Sequence, residues 1–206
     1  MNYPCYIFGA SPEFDNVDIT IEKDSLIIAV DGGLEVLEKK GIFPNIVIGD
    51  FDSLGYVPSS YEVISYEAEK DDTDMMLAIK YGLDKGYSEF RVYGGLGGRL
   101  DHTIANIQSL TYIAKQGKRG WLIDNMTSVT VIYSDMIDFD ETHKGTISVF
   151  ALDTEVKGVT ITGLKYSLAD YSVTNHFPIG VSNEFIGTKS RISADEGSLM
   201  IVLSRE

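Results

Sequence analysis

The sequence predicts an α/β domain over residues 1–134 followed by an all-β domain over 135–206. Three observations lead there. Short apolar runs rich in β-branched and aromatic residues alternate with helical patterns through the first part of the chain. Each of three helical patterns is closed by a glycine, the residue a helix C-terminus favours. Beyond residue 134 the apolar residues alternate or run together with Gly and Asp turns, and no helical period appears.

In chain order, strands are expected at 6–8, 26–30, 46–48, 63–65, 90–93 and 120–123. Helices are expected at 34–40 before Gly41, 74–83 before Gly86 and 103–114 before Gly117. Such strand–helix alternation makes a parallel sheet, because parallel neighbours need a crossover. In the second part, strands are expected at 146–152, 156–161, 190–193 and 199–203. A segment of roughly seventy residues is marginal as an independent core, so it is expected to pack on the first domain or on a second subunit. Residues 169–180 fit no periodic pattern and are read as a loop that closes on substrate.

Composition narrows the function. With 31 acidic against 17 basic side chains and a net charge of −14, the chain shows no basic patch for nucleic acid or anionic lipid. The single cysteine, Cys5, allows no internal disulfide and reads as a buried thiol. No basic leader with a cleavage site opens the chain, and no run reaches the ~18 apolar residues of a membrane span. The expectation is a soluble cytoplasmic protein.

Three clusters carry the chemistry, and each follows a strand-like run: Gly49-Asp50-Phe51-Asp52-Ser53, Lys70-Asp71-Asp72-Thr73-Asp74, and Gly94-Gly95-Leu96-Gly97-Gly98-Arg99-Leu100-Asp101-His102. Loops at the carboxyl ends of parallel strands share one crevice, and carboxylates crowded there repel unless a cation or proton comes between them. Asp50 and Asp52, two apart on extended chain, point the same way and suit one hard cation, although Gly and Asp also make ordinary turns. Asp74, on the first turn of a helix, could complete a Mg²⁺ site that takes its other ligands from phosphates and water. Asp71 and Thr73 read equally well as helix caps, and Lys70 offers a phosphate a point charge.

The glycine loop lets backbone N–H groups approach an anion, and Arg99 adds a planar fork for phosphate oxygens. Its spacing matches neither the P-loop nor the dinucleotide-binding fingerprint. Asp101 is the preferred last member of the acid cluster. His102 reads as a site residue or as a cap, and Asn106 lies one turn beyond it. Asp31-Gly32-Gly33 ends another strand and is expected to open onto the same crevice.

Taken in this order and spacing, Asp31-Gly32-Gly33, 49–53, 70–74 and 97–102 resemble the thiamine pyrophosphokinase family. The similarity extends through Gly163-Leu164-Lys165-Tyr166 and Val181-Ser182-Asn183-Glu184-Phe185. The resemblance implies a Rossmann-like, mostly parallel N-terminal domain and a β-sandwich C-terminal domain. It also implies a homodimer with thiamine held between the N-terminal domain of one subunit and the C-terminal domain of the other. The implied reaction moves a whole pyrophosphoryl group from ATP to the thiamine hydroxyl, giving thiamine diphosphate and AMP. By the same resemblance Asp50, Asp52 and Asp74 hold Mg²⁺, and Asp31, Lys70, Gly97, Gly98 and Arg99 serve the ATP phosphates. Asp101 or another carboxylate accepts the hydroxyl proton, and Tyr166, Ser182 and Asn183 receive thiamine, a cation with two aromatic rings.

Two rival readings stand beside this one. A pyrophosphokinase for another alcohol, such as a hydroxymethylpterin, would keep the acid cluster and change the stretch from Tyr166 to Phe185. A non-catalytic sensor of thiamine diphosphate or a nucleotide would lose Asp50, Asp52, Asp74 or Arg99, and all four are present.

Overall fold

The computed structural model describes residues 3–11, 14, 17, 19–49, 61–65 and 71–205. They fall into two compact units, the first made of residues 1–109 and 120–125 and the second of 110–119 and 126–206.

In the first unit, β1 (Cys5–Phe8), β2 (Leu26–Val30), β3 (Ile46–Gly49), β4 (Glu62–Ser65), β5 (Glu89–Tyr93) and β6 (Arg119–Ile123) lie in the order β6-β5-β1-β2-β3-β4. The pairs β1–β2, β1–β5, β2–β3 and β3–β4 are parallel. All four residues of both β1 and β3 are buried, as expected of central parallel strands covered on both faces. The helices are α1 (Gly33–Lys39), α2 (Asp74–Asp84) and α3 (Leu100–Lys115), and the last runs from the first unit into the second. Tyr6, Phe8, Phe14, Ala29, Leu34, Leu37, Val47 and Tyr93 form a buried cluster, with the Phe8 and Tyr93 rings stacked at 5.2 Å. Cys5 is fully buried, and loss of water pushes its thiol pKa far up, so the thiolate that would react is suppressed.

Close packing at glycines seats the helices on this sheet. A side chain on Gly82 of α2 would stand 2.6 Å from the Phe90 ring and 3.1 Å from Cys5 Sγ. One on Gly33, at the start of α1, would drive into the Phe8 carbonyl. No helix among the described residues is long and apolar enough to cross a membrane.

The second unit is antiparallel. Strands β7 (Thr127–Tyr133), β9 (Thr146–Ala151), β12 (Asn183–Glu184) and β14 (Ser198–Ser204) lie in the order β12-β9-β14-β7. A separate sheet orders β8 (Met136–Phe139), β10 (Glu155–Thr162), β11 (Leu168–Thr174) and β13 (Ser190–Ser193) as β11-β10-β13-β8. Alternation sets the faces: Ile147, Val149 and Ala151 of β9 are buried, as are Val156, Val159 and Ile161 of β10.

Residues 169–180, expected as a loop, contain most of β11 instead. This edge strand is exposed along most of its length, pairs with β10 through two register shifts, and carries Asp170 at φ 48°. A bulged, solvated edge strand lacks the apolar alternation that identifies strands in sequence, which is why it escaped the pattern.

After β8, Asp140 organises a tight turn. Its Oδ1 accepts from Thr142 N at 2.9 Å and from Thr142 Oγ1 at 2.5 Å, and lies 3.0 Å from His143 Nδ1. The Thr142 hydroxyl bond, followed by its backbone bond, lowers the Asp140 pKa from 3.8 to about 2. A depressed carboxylate stabilises the fold above its unfolded pKa, and this contribution disappears as pH falls through about 2. An NMR titration should therefore place the Asp140 midpoint near 2, and Thr142→Val should return it toward 3.8. A wild-type midpoint at 3.8 would mean that the turn does not hold the carboxylate in solution.

Candidate active site

The connection reverses direction at β1, which pairs with β2 on one side and β5 on the other. In open α/β sheets the crevice at such a switch point, outside the carboxyl ends of the strands, is where ligands bind. A cavity of about 660 Å³ lies here. Its wall includes Gly9 and Ser11 after β1, Asp31 and Gly32 after β2, Asp72 to Asp74 at α2, and Gly94, Gly95, Gly97, Gly98, Arg99, His102 and Asn106 from the loop and helix after β5. The floor is tight: Gly9 N–H donates to Tyr93 O at 2.8 Å, and a side chain on Gly94 would strike Gly9 O.

Asp31 takes the left-handed conformation at φ 47°, and its N–H donates to Ile48 O at 3.1 Å. Non-glycine residues rarely accept this region, Asp and Asn most readily. The carboxylate packs where a side chain on Gly49 would stand, so Gly49 must be glycine for Asp31 to sit there. Thr73 is the α2 cap, its Oγ1 accepting from Met76 N at 3.2 Å. Asp74 follows as the first residue of α2 and also lines the cavity.

Asp72, which sequence reasoning passed over, also lines the cavity and pairs with Lys80 at 2.6 Å. Nothing in a run of four polar residues marks which carboxylate faces a site. Ser11, also unremarked, is drawn in by hydrogen bonds that close only in the fold: its N–H to Gly94 O at 3.3 Å and its Oγ to Leu96 O at 2.7 Å.

Asp101 is the residue expected as one more acid in the cluster. It is absent from the cavity wall, its side chain is 63% exposed, and it clasps Arg99 through two bonds at 3.2 and 2.6 Å. The Arg99 hydrogen bond, with help from the His102 N–H, holds its carboxyl below the ordinary range, which makes it a poorer base. In this arrangement Asp101 orients the arginine. Asp50, Asp52 and Lys70 lie outside the described residues.

The motifs at 163–166 and 181–185 sit in the second unit. Tyr166 is 60% exposed. Its main chain is gripped on both sides by the amide of Asn183: Tyr166 N–H donates to Oδ1 at 2.9 Å, and Nδ2 donates to Tyr166 O at 2.7 Å. Oδ1 also accepts from Glu184 N at 2.9 Å. Only 5% exposed, Asn183 holds the Tyr166 main chain with both polar atoms of its amide. Lys165 pairs with Glu184 at 2.6 Å and lies 5.5 Å over one face of the Tyr166 ring. Ser182 is held at φ 58° with its N–H on Ser148 Oγ at 3.0 Å.

The family model for the thiamin pyrophosphokinase catalytic domain matches residues 17–122, and that for the thiamin pyrophosphokinase vitamin B1 binding domain matches 135–199. The chain is 30% identical to thiamine pyrophosphokinase of Bacillus subtilis (strain 168) over 192 residues, 90% of each protein. This chain belongs to the thiamine pyrophosphokinase family. Solved structures agree. The crystal structure of the Bacillus subtilis thiamine pyrophosphokinase superposes with a TM-score of 0.88 at 28% identity, covering 98% of this chain and 99% of that one. The Geobacillus thermodenitrificans thiamin pyrophosphokinase gives 0.83 at 26% identity and 98% of both. The reaction of thiamine pyrophosphokinases is transfer of the ATP pyrophosphoryl group to thiamine, and a divalent metal generally takes part.

Proposed function

We propose that the switch-point cavity binds the phosphates of ATP with Mg²⁺, and that Tyr166 and its neighbours receive thiamine, whose hydroxyl oxygen attacks the β-phosphorus. The bond from that phosphorus to the bridging oxygen of the α-phosphate breaks, and AMP leaves. The observation that carries this reading is one cavity bringing Asp31, Asp72 and Asp74 together with Arg99 and the glycine loop.

The donor set fits the metal. Carboxylate oxygens suit a hard divalent cation, and Mg²⁺ usually takes one or two carboxylates and fills its shell with water and phosphate oxygens. Among the described residues no group of three or more His, Cys, Asp or Glu side chains could hold a metal ion. Asp74 would hold the ion with Asp50 and Asp52. When bound, it neutralises phosphate charge and fixes the phosphate oxygens. Arg99 supplies a forked donor, and Lys70 a point charge. The half of the chain up to residue 134 is assigned to the nucleotide in a Rossmann-like arrangement. Residues 135–206 are assigned to the acceptor as a β-sandwich that also joins two subunits, so that each thiamine site draws on both, in the cytoplasm.

With Lys165 on one face of its ring, Tyr166 offers thiamine the other. Tyr166→Ala should raise the KM for thiamine about tenfold and leave that for ATP unchanged, since a stacked ring contributes on the order of 1 kcal/mol or more. Asn183→Ala should move the same constant in the same direction through the freed Tyr166 backbone. It should also lower stability by about 1–3 kcal/mol, because buried backbone groups lose their partner. A defect confined to ATP in Tyr166→Ala would remove it from the acceptor site.

Incubating the protein with ATP, Mg²⁺ and thiamine tests the whole reading. AMP and thiamine diphosphate should appear together and vanish with EDTA or without thiamine. ADP with thiamine monophosphate would overturn pyrophosphoryl transfer.

A further inference from the structure

Side chains hold the glycine loop after β5, one carbonyl at a time. Asn106 Nδ2 donates to Gly95 O at 2.8 Å, Ser11 Oγ to Leu96 O at 2.7 Å, and Thr103 Oγ1 to Gly97 O at 3.2 Å, with Arg99 O at 3.4 Å as its other acceptor. Three consecutive carbonyls are thus pinned by side chains from two different parts of the chain. Asn106 is buried, so its amide is not shared with solvent.

These peptides are trans, and a trans peptide points its N–H opposite to its C=O. Fixing the carbonyls of Gly95, Leu96 and Gly97 therefore fixes the N–H groups of Leu96, Gly97 and Gly98 in the opposing directions. Among the described residues those three N–H groups donate to no protein acceptor. Gly97 at φ 73° and Gly98 at φ 61° give two successive left-handed residues, and both line the cavity. Successive backbone N–H groups in a turn can form an anion-binding concavity.

We infer that Ser11, Thr103 and Asn106 are positioning residues that set the 95–98 loop as a nest for the polyphosphate of the nucleotide. The inference rests on the reading of this loop as the phosphate cradle. None of the three touches the phosphate; each acts through a carbonyl it holds. Preorganisation of this kind matters most for a doubly or triply charged group, because N–H donors already aligned cost little to bring onto it.

The test is an NMR titration of the ¹⁵N-labelled protein with Mg²⁺ and α,β-methylene ATP, a non-transferable analogue, paired with calorimetric titrations of analogue and thiamine. The wild-type Gly97 and Gly98 amide resonances should shift with the analogue. Ser11→Ala and Thr103→Val should each weaken the analogue about fivefold, the size expected for one hydrogen bond, without changing thiamine affinity. Ser11→Thr and Thr103→Ser, which keep the hydroxyl, should restore it. If the analogue binds the wild type without moving those two amides, the cradle reading itself falls. If they move but Ser11→Ala and Thr103→Val bind with wild-type affinity, the cradle stands and the positioning role falls. Equal loss of thiamine and analogue in those variants would show general damage and would also overturn it.

Discussion

Asp74→Asn should lower kcat by roughly a hundredfold or more while leaving the melting temperature within a few degrees of wild type. Asp74 opens α2 on the cavity wall, and the cap that holds the helix is Thr73. The substitution keeps the shape, turns one acceptor oxygen into an NH₂ donor and removes the negative charge. Loss of a metal ligand acts on the transition state, so kcat and kcat/KM should fall together. Raising Mg²⁺ should recover part of the activity if the defect lies in holding the ion. Wild-type turnover would remove Asp74 from the metal site. Asp101→Asn makes the comparison useful: because Asp101 is turned onto Arg99 and away from the cavity, its loss should cost far less.

The scaffold of the first unit was legible because buried parallel strands announce themselves. The runs at 6–8, 26–30 and 46–48 are apolar throughout and 90–93 is interrupted only by Arg91, and the structure extends them by at most a residue or so at an end. Glycines 41, 86 and 117 follow the three helices, each at positive φ. In the second unit the alternation of β9 and β10 was readable for the complementary reason, one buried face. Strands β7 and β8 were not singled out, and β11, solvated along one edge, was taken for a loop.

The site was legible in its residue types and less so in its contacts. Strand-end clusters of Asp and Gly identify a crevice whatever the loops do, and Asp31, Asp74, Gly97, Gly98 and Arg99 do share one cavity. What sequence could not say is which neighbouring acid faces inward. Asp72 lines the wall and Asp101 does not, a choice made by side-chain partners, Lys80 for one and Arg99 for the other. Nor could it join Ser11 to Leu96, which are 85 residues apart. Asn183 shows the same limit, since its motif drew notice as ligand-binding, while the fold engages its amide with the Tyr166 backbone.

The largest loss of stability is expected at Gly33. Adding one methyl there places it against the Phe8 carbonyl, 2.6 Å from the carbonyl carbon and 3.2 Å from Gly9 C. These are backbone atoms of a fully buried central strand and the turn that follows it, so no rotamer change can make room. Gly33→Ala should lower the unfolding free energy by about 3 kcal/mol, the upper part of the range for overpacking, read as a lower urea midpoint at unchanged slope. Gly41→Ala is the control. Gly41 has φ 67° but open space around its added carbon, so only the left-handed penalty of about 1–2 kcal/mol applies. Because Gly33 seats α1 against the strand end that leads to Gly9 on the cavity wall, the folded fraction of Gly33→Ala should also bind ATP more weakly than wild type. If Gly33→Ala were no less stable than Gly41→Ala, the close approach of α1 to β1 would not exist in solution, and the placement of Asp31 beside the cavity would lose its support.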